Sequence, residues 1–532
     1  MIVGRADPAV LDRRTMVRLL VVVGLLVGAW TSVGAFARAT YGSRTTADEP
    51  QYLLSARSLA DDGDLDIADE LRDGAFVEFH EQILPEQTRR LDDGRRVSPH
   101  DPLLPALLAA PMALGGWLAA KLTLAALAGV LAAAMLWVAV RRFAVTPGVA
   151  TVVVLAFAAV SPLVVYGTQV YPELAAALAV TAVIGAVTAP PTRGRVVLVA
   201  AALAALPWLA LKYAPVVAAL AVVVAWYWGR RRGSVGPVVV VAAVLVADLV
   251  LFAIVHQVVY DGWTAYAAGD HFVGGELTVM GVHPDYASRA VRLVNLLVDR
   301  QFGLAAWAPI FLFAIPALAA LARRRPPGTA ALVLPLAAGW LNATFVALTM
   351  HGWWWPGRQV VVVVPAIVLA VAWFAEQVRG AAVPDRAGAD ADAVAGADRT
   401  AVRRWMAWRS AGVVAIVAGA VAWVWLLVEV LRVQRALVVD FASSANPVLR
   451  AWQQLLPDGQ RNLPIDRALV GAWIVAILAL AVCGWRSVPD ASAGPDGAGT
   501  AGGSDRDEDA GAGELADAHV LAVDLDGGGA VG

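Results

Sequence analysis

Apolar residues gather into twelve runs along the chain, at about 16–36, 117–140, 148–166, 173–190, 195–211, 214–229, 236–256, 303–322, 329–349, 359–376, 410–431 and 468–486. Most approach the ~20 residues that carry a helix across a hydrocarbon core. The stretch 195–229 counts as two helices, because Lys212, Tyr213 and Pro215 interrupt it and one span of that length would be far too long. Arginines order the helix ends, since cytoplasmic flanks retain Lys and Arg. Arg13, Arg14 and Arg18, the pairs Arg141/Arg142 and Arg193/Arg195, and the triplets Arg230/Arg231/Arg232 and Arg323/Arg324/Arg325 fall on one side. The short connectors of the other side carry Lys212 and Arg358. The pattern predicts an all-α polytopic protein of the cell membrane, with about 12 transmembrane helices and both termini cytoplasmic. For the last pair of helices the rule decides nothing, because the connectors 377–409 and 432–467 carry similar numbers of arginines.

Three segments are too long for simple connections. The first, about 37–116, is a large extracytoplasmic loop, and it ends in an apolar stretch at 102–114 that is too short to span and suits a helix along the interface. The second, 257–302, is also extracytoplasmic. The third, 377–409, is a cytoplasmic linker rich in Ala, Asp and Arg, which separates a main module at 16–376 from a C-terminal pair at 410–486. A short cytoplasmic segment, 1–15, precedes the first helix, and the tail 487–532 holds ten acids and one arginine among Gly, Ala and Ser. Such a tail buries too little apolar surface to fold and is expected to be disordered.

Composition agrees with the pattern. Of 532 residues 59% are hydrophobic and 16% charged, against roughly 25% charged in a soluble domain, and the mean hydropathy is +0.66. The net charge of −2 is unevenly spread and singles out no partner; a nucleic acid is not expected. The single cysteine, Cys483, excludes a disulfide framework or a thiolate metal cluster. The N-terminus resembles a signal peptide, but its apolar run is 21 residues long, beyond the 7–15 of a signal core, and reads as an uncleaved first helix.

Chemistry is sought where charges interrupt this pattern. Asp48 and Glu49 follow the first helix in "RTTADEPQYLLSARSL". Thr46 with Glu49 spells a T-x-x-E capping box, and Pro50 suits a first turn. Capping accounts for Glu49 and leaves Asp48 as a charge near the positive helix end, or as a general base for a hydroxyl acceptor. Lys212 interrupts an apolar stretch, which is costly unless its ammonium reaches water or an anion. Arg358, after "WWWPG", offers a planar fork suited to phosphate oxygens. Snorkelling to the interface is the plainer role of either cation. His100, Asp101, Tyr171, Glu173 and His351 are further candidates; a His and two carboxylates suit a divalent metal, but no ligand spacing ties these segments together and the sequence leaves the metal open. "HEQIL" at 80–84 lacks the second histidine of a zincin. Trp353, Trp354 and Trp355 read as an aromatic belt. Asp248 is an intramembrane acid with no partner evident in the sequence.

These stretches resemble the GT-C superfamily of membrane glycosyltransferases, near the protein O-mannosyltransferase and aminoarabinose-transferase-like branch. "ADEPQYLLSARSLADDGDLDI" is similar to the start of that family's first outer loop, and "SPHDPLLPALLAAP" to its H-P-P-L segment, with Asp101 in place of the first proline. "TQVYPELAAAL" resembles its Tyr-Pro-Glu turn, "LALKYAP" its Lys-bearing helix break, and "HGWWWPGRQVVVVVPAIVLA" a G-x-R-[YF]-x-x-P pattern. The likeness spans about 40–375. It implies a GT-C-type catalytic module at 16–376. It further implies a sugar donor on a polyprenyl phosphate, a glycan, lipid or protein acceptor on the extracytoplasmic face, and inversion at the anomeric carbon. The catalytic candidates are then Asp48, as base, and Glu49; the substrate-binding candidates are Lys212, Arg358, Tyr171, Glu173, His100 and Asp101. Two other classes stand beside this one, a multi-pass transporter and a non-catalytic membrane scaffold. A transporter would place ionisable groups at mid-membrane and show repeated halves, and a scaffold would lack the outer charges.

Overall fold

The computed structural model describes residues 11–272, 274–382, 399–438, 444–461 and 463–488. The chain before 11, the 383–398 part of the linker and the acidic tail from 489 lie outside the described residues. Among the described residues the protein is all-α, with two isolated bridges, Asp66 to Val97 and Thr88 to Gly269, and no strand.

Helix α1 (Arg13–Ser32) starts where the Asp12 carboxylate accepts the Thr15 amide at 2.9 Å, satisfying a donor that the helix start leaves open. The first loop holds α2 (Glu49–Asp61) and α3 (Ala68–Arg72), and α4 (Leu103–Arg142) follows. α1 lies along α4 with backbones in contact: a Cβ on Gly129 would come within 2.3 Å of the Gly24 carbonyl oxygen. Small residues permit this approach, which in lipid replaces the missing hydrophobic drive between helices. α4 is bent at Gly115 and Gly116, where Gly116 has φ 62 and ψ −157. The apolar 102–114 stretch thus forms a helix of its own, set off by the bend from the span behind it.

Among the described residues eight helices are long and apolar enough to cross a membrane, and the protein is a multi-pass membrane protein. The other four predicted runs are shorter or broken helices. Pro147–Ala158, Glu173–Val187 and Arg193–Leu209 are short. The 303–322 run divides into Leu304–Trp307, a 3-10 turn over Pro309–Phe313, and Ala314–Arg324, as expected where a proline removes a backbone donor. The break at Lys212 is real: Ala210 is extended, and Leu211–Tyr213 is a 3-10 turn. The Arg358–Ala382 segment runs through the centre, 89% of its most apolar stretch being buried, whereas only 6% of that stretch of Pro464–Ser487 is buried, and it lines the periphery.

The bundle has two distinct ends. At one, Arg142 donates to the Gly185 carbonyl at 2.7 Å, Arg232 to Thr188 at 3.4 Å, Arg323 to Trp485 at 2.5 Å and Arg404 to Arg486 at 3.1 Å. The arginine clusters of the sequence therefore share an end. At the other end the two long outer segments meet: the Arg89 amide donates to the Ala268 carbonyl at 2.8 Å, and the Asp270 amide to Gln87 at 3.1 Å. The segment before the last helix joins them, since the Arg300 amide donates to Pro457 at 2.7 Å and the Gly459 amide to Asp299 at 2.8 Å. These contacts put the described part of the 432–467 connector at the end away from the arginine clusters, a point on which arginine counts are silent.

Candidate active site

Four of the sequence candidates meet at the end away from the arginine clusters. Asp48 is the N-cap of α2, yet its carboxylate makes no capping bond. The residue before it, Ala47, has φ 50, an uncommon conformation for a residue with a side chain. Asp48 instead receives the Arg358 guanidinium, Nη2 to Oδ2, at 2.6 Å. Gly357 makes the approach of Arg358 feasible: its φ is 85, and a Cβ there would sit 2.6 Å from Leu304. Arg358 Nε donates to Glu173 Oε1 at 3.1 Å, and the Lys212 ammonium donates to the same oxygen at 2.7 Å. Glu173 itself opens the helix Glu173–Val187, where a carboxylate is favoured by the helix dipole. Arg358 lies 4.0 Å from the Tyr171 ring centroid and 5.1 Å from that of Trp354, a cation–π arrangement that suits guanidinium.

Burial separates the members of this cluster. The Glu173 side chain is 0% exposed and that of Arg358 8%, while Lys212 and Asp48 keep 21% and 22%. The site thus opens over Asp48 and Lys212. Burial by itself would raise the Asp48 carboxyl, but Arg358 above all, then His100 and Lys212, overcome it and hold the group at about 2. His100 Nε2 stands 4.0 Å from Asp48 Oδ1, beyond hydrogen-bond reach, and is buried without a hydrogen-bond partner. Burial lowers the His100 imidazole below its usual range, against the pull of Asp48, and the ring stacks on Tyr52 at 4.6 Å.

Glu49 faces another way. One oxygen accepts the Thr46 amide at 3.3 Å, half of the expected capping box, and the other accepts the Val170 amide at 2.8 Å. Burial raises this carboxyl, while Lys121 and those two amides pull it back. Both of its oxygens are therefore committed to joining the start of α2 to the turn before Glu173. Tyr171 supports the same junction, its hydroxyl donating to the Thr46 carbonyl at 3.3 Å.

Asp101 sits one step behind. It accepts the Leu211 amide at 2.9 Å, next to Lys212, and lies 3.0 Å from His256 Nε2. The residue that departs from the H-P-P-L pattern thus anchors the break bearing Lys212. The sequence reading missed His256, Tyr52 and Lys121. A histidine and a lysine inside apolar runs are the signal that was there to find. The set weighed for a divalent metal is divided: Asp101 turns to His256, and His351 lies 3.7 Å from Asp299. Two further expectations need correction. Asp248 has a partner, the Trp208 indole at 2.8 Å. The tryptophans do not act as one belt, since Trp353 is 61% exposed, Trp354 lies against Arg358 and Trp355 is fully buried.

No family model and no curated protein matches this sequence. Among solved structures it is similar to ArnT from Cupriavidus metallidurans bound to undecaprenyl phosphate, at 16% identity and a TM-score of 0.46, over 90% of this chain and 78% of that one. The apo state of the same ArnT gives 15% identity and a TM-score of 0.43, over 82% and 76%.

Proposed function

We propose that this chain is an inverting glycosyltransferase of GT-C type, which moves a sugar from a polyprenyl-phosphate donor to an acceptor hydroxyl at the extracytoplasmic face of the membrane. The observation that carries the reading is the meeting of Asp48, Glu173, Lys212 and Arg358, from four distant segments, at the end opposite the arginines. Buried charges are costly to hold in a membrane bundle and mark function there.

The roles follow from the contacts. Lys212 and Arg358 supply positive charge for the phosphate that leaves. Glu173 orients both cations and Tyr171 supports Arg358 from below; Asp101 fixes the break on which Lys212 sits. Asp48, held at about 2, is ionised but weakly basic while it is paired with Arg358. A donor phosphate competes for the same guanidinium. As it takes Arg358, Asp48 loses the charge that depressed it and gains basicity beside the acceptor. The acceptor hydroxyl then gives its proton to Asp48, its oxygen bonds to the anomeric carbon from the opposite face, and the carbon–oxygen bond to the lipid phosphate breaks with its electron pair. His100, 4.0 Å from Asp48, leaves a gap that an acceptor oxygen would bridge. Glu49 is assigned a positioning role at the base of α2. The transporter reading is disfavoured, because the paired charges gather at one end and the intramembrane acid Asp248 is engaged by Trp208.

The test uses purified protein in liposomes with a polyprenyl-phosphate sugar. Release of polyprenyl phosphate should accompany appearance of the sugar on an acceptor. Lys212→Ala and Arg358→Ala should each lower it about ten- to more than a hundredfold, the worth of a charge-assisted contact. Normal transfer in both variants would remove the phosphate assignment, and uptake of a solute in place of transfer would favour the transporter. Reporter fusions after Arg142, Arg232 and Arg325 should read cytoplasmic, and those near Asp64 and Gly275 extracytoplasmic. Comparing surface glycans of deletion and complemented cells would identify the sugar and acceptor.

A further inference from the structure

The turn that closes α2 reads Asp61-Asp62-Gly63-Asp64-Leu65-Asp66-Ile67-Ala68-Asp69-Glu70. Several of its acids are partnered. Asp61 takes Arg57 at 3.1 Å; Asp64 accepts the Ser58 hydroxyl at 3.0 Å and the Asp66 amide at 2.9 Å. Asp66 accepts the amides of Ala68 at 3.1 Å and Arg96 at 2.8 Å. Asp62, Asp69 and Glu70 differ: among the described residues none of their carboxylates has a salt bridge, and Glu70 hydrogen-bonds only its own amide and Asp69. These are also the three that converge, with a ligand oxygen from each within 4.8 Å of the others. Glu70 is 6% exposed, and its Oε2 is sealed from solvent with no hydrogen-bond partner. A buried carboxylate beside two others is expensive unless a positive charge or a proton joins them.

We propose that Asp62, Asp69 and Glu70 form a binding site for a hard divalent cation, Ca²⁺, which ties the end of α2 to α3. The donor set is all oxygen, without His or Cys, which selects hard cations over zinc and copper. Ca²⁺ accepts six to eight oxygens in loose geometry, so three carboxylates are completed by water, whereas Mg²⁺ demands a near-ideal octahedron. Asp62 is exposed and Asp69 partly so, which gives that water a way in. The site stands apart from the transfer cluster and does not depend on the function proposed above. Its structural consequence reaches that cluster, because α2 begins at Glu49, directly after Asp48. A proton shared by Asp69 and Glu70 is the competing account.

The test is equilibrium binding of ⁴⁵Ca²⁺ to the full-length protein in detergent, paired with thermal melting in CaCl₂ or MgCl₂. One Ca²⁺ should bind with a Kd of about 10⁻⁴–10⁻³ M, the range of extracellular modules, and raise the melting temperature; MgCl₂ at equal concentration should raise it less. Glu70→Gln removes a buried like charge, so it should melt no lower than wild type without calcium yet lose the calcium response. Asp69→Asn, at a more open position, should weaken binding by at least the about 10–100-fold that loss of an outer-shell partner costs. Asp92→Asn, an exposed acid outside the cluster, should bind as wild type does. The proposal is overturned by a wild-type protein with no saturable Ca²⁺ binding up to 10 mM (about tenfold above the weak end of that range). Binding in Glu70→Gln and Asp69→Asn equal to that of wild type would overturn it too, and should Glu70→Gln fail to fold, Asp69→Asn decides alone.

Discussion

The two ends of the helix bundle both carry cations, and the buried pair Lys212 and Arg358 is used differently from the arginine clusters of the opposite end. At the arginine end, Arg142 and Arg232 donate to carbonyls at the close of the Glu173–Val187 helix, and Arg323 and Arg404 do so at the close of Pro464–Ser487. These are ordinary C-terminal interactions, favoured by the helix dipole and worth little individually. At the other end, Lys212 and Arg358 meet carboxylates, and Glu173 and Arg358 are nearly sealed from solvent. Replacing such a cluster by apolar side chains is often neutral or stabilising. Its presence is therefore better explained by chemistry than by stability. Carbonyl contacts occur at both ends, as for Arg289 and Arg292 at the outer one; what sets Lys212 and Arg358 apart is the buried carboxylate they share.

The sharpest contrast between the ends is in turnover. Asp48→Asn keeps the size of the side chain but cannot take up the acceptor proton, at a cost of roughly 10²–10⁴-fold. Arg232→Ala at the other end should leave turnover as it is. A comparable loss in Arg232→Ala, assayed in proteoliposomes, would erase the comparison. Stability should follow the same division with smaller factors. Arg358→Ala leaves Asp48 and Glu173 without their shared cation, a loss of roughly 3–5 kcal/mol for a broken buried pair. Arg232→Ala should stay within about 0.5 kcal/mol, as surface changes do; thermal melts of the two variants check both. Glu49→Gln should fall between. Glutamine still serves in a capping box, but it weakens one of two buried acceptances, at about 1–3 kcal/mol. Turnover in Glu49→Gln as low as in Asp48→Asn would bring Glu49 into the chemistry.

The smallest expected effect is one of pH. Asp48 at about 2 is ionised throughout the working range, and burial keeps His100 below its usual value, so kcat/KM should show no acid limb near pH 6.5. A limb there would make a histidine the base. The same depression has a sign for stability. Because folded Asp48 titrates at about 2 against 3.8 unperturbed, its ion pair contributes on the order of 2 kcal/mol above about pH 4. That contribution fades as pH falls towards 2.

Much of this was legible from residues that break a pattern. Lys212 inside an apolar run predicted a helix break, and the break is there. The one-sided arginines predicted a shared end, and their carbonyl contacts gather there. T-x-x-E predicted half of what Glu49 does; its bond to Val170 joins residues 121 apart and leaves no local trace. Contacts such as Asp101 with His256 and Asp248 with Trp208 are invisible for the same reason. The cations were expected to await a phosphate, and nothing in their local sequence told that Asp48 and Glu173 already share them. Nor does hydropathy alone tell a straight span from one broken at Pro309.

The central claim is that Asp48 and the donor phosphate compete for Arg358, so that donor binding frees the base. Direct titration of Asp48→Asn with a polyprenyl-phosphate sugar, by calorimetry in detergent, addresses it without any turnover. The account predicts donor affinity equal to or tighter than wild type, because the competing carboxylate is gone. Affinity that falls in proportion to the lost turnover would contradict it.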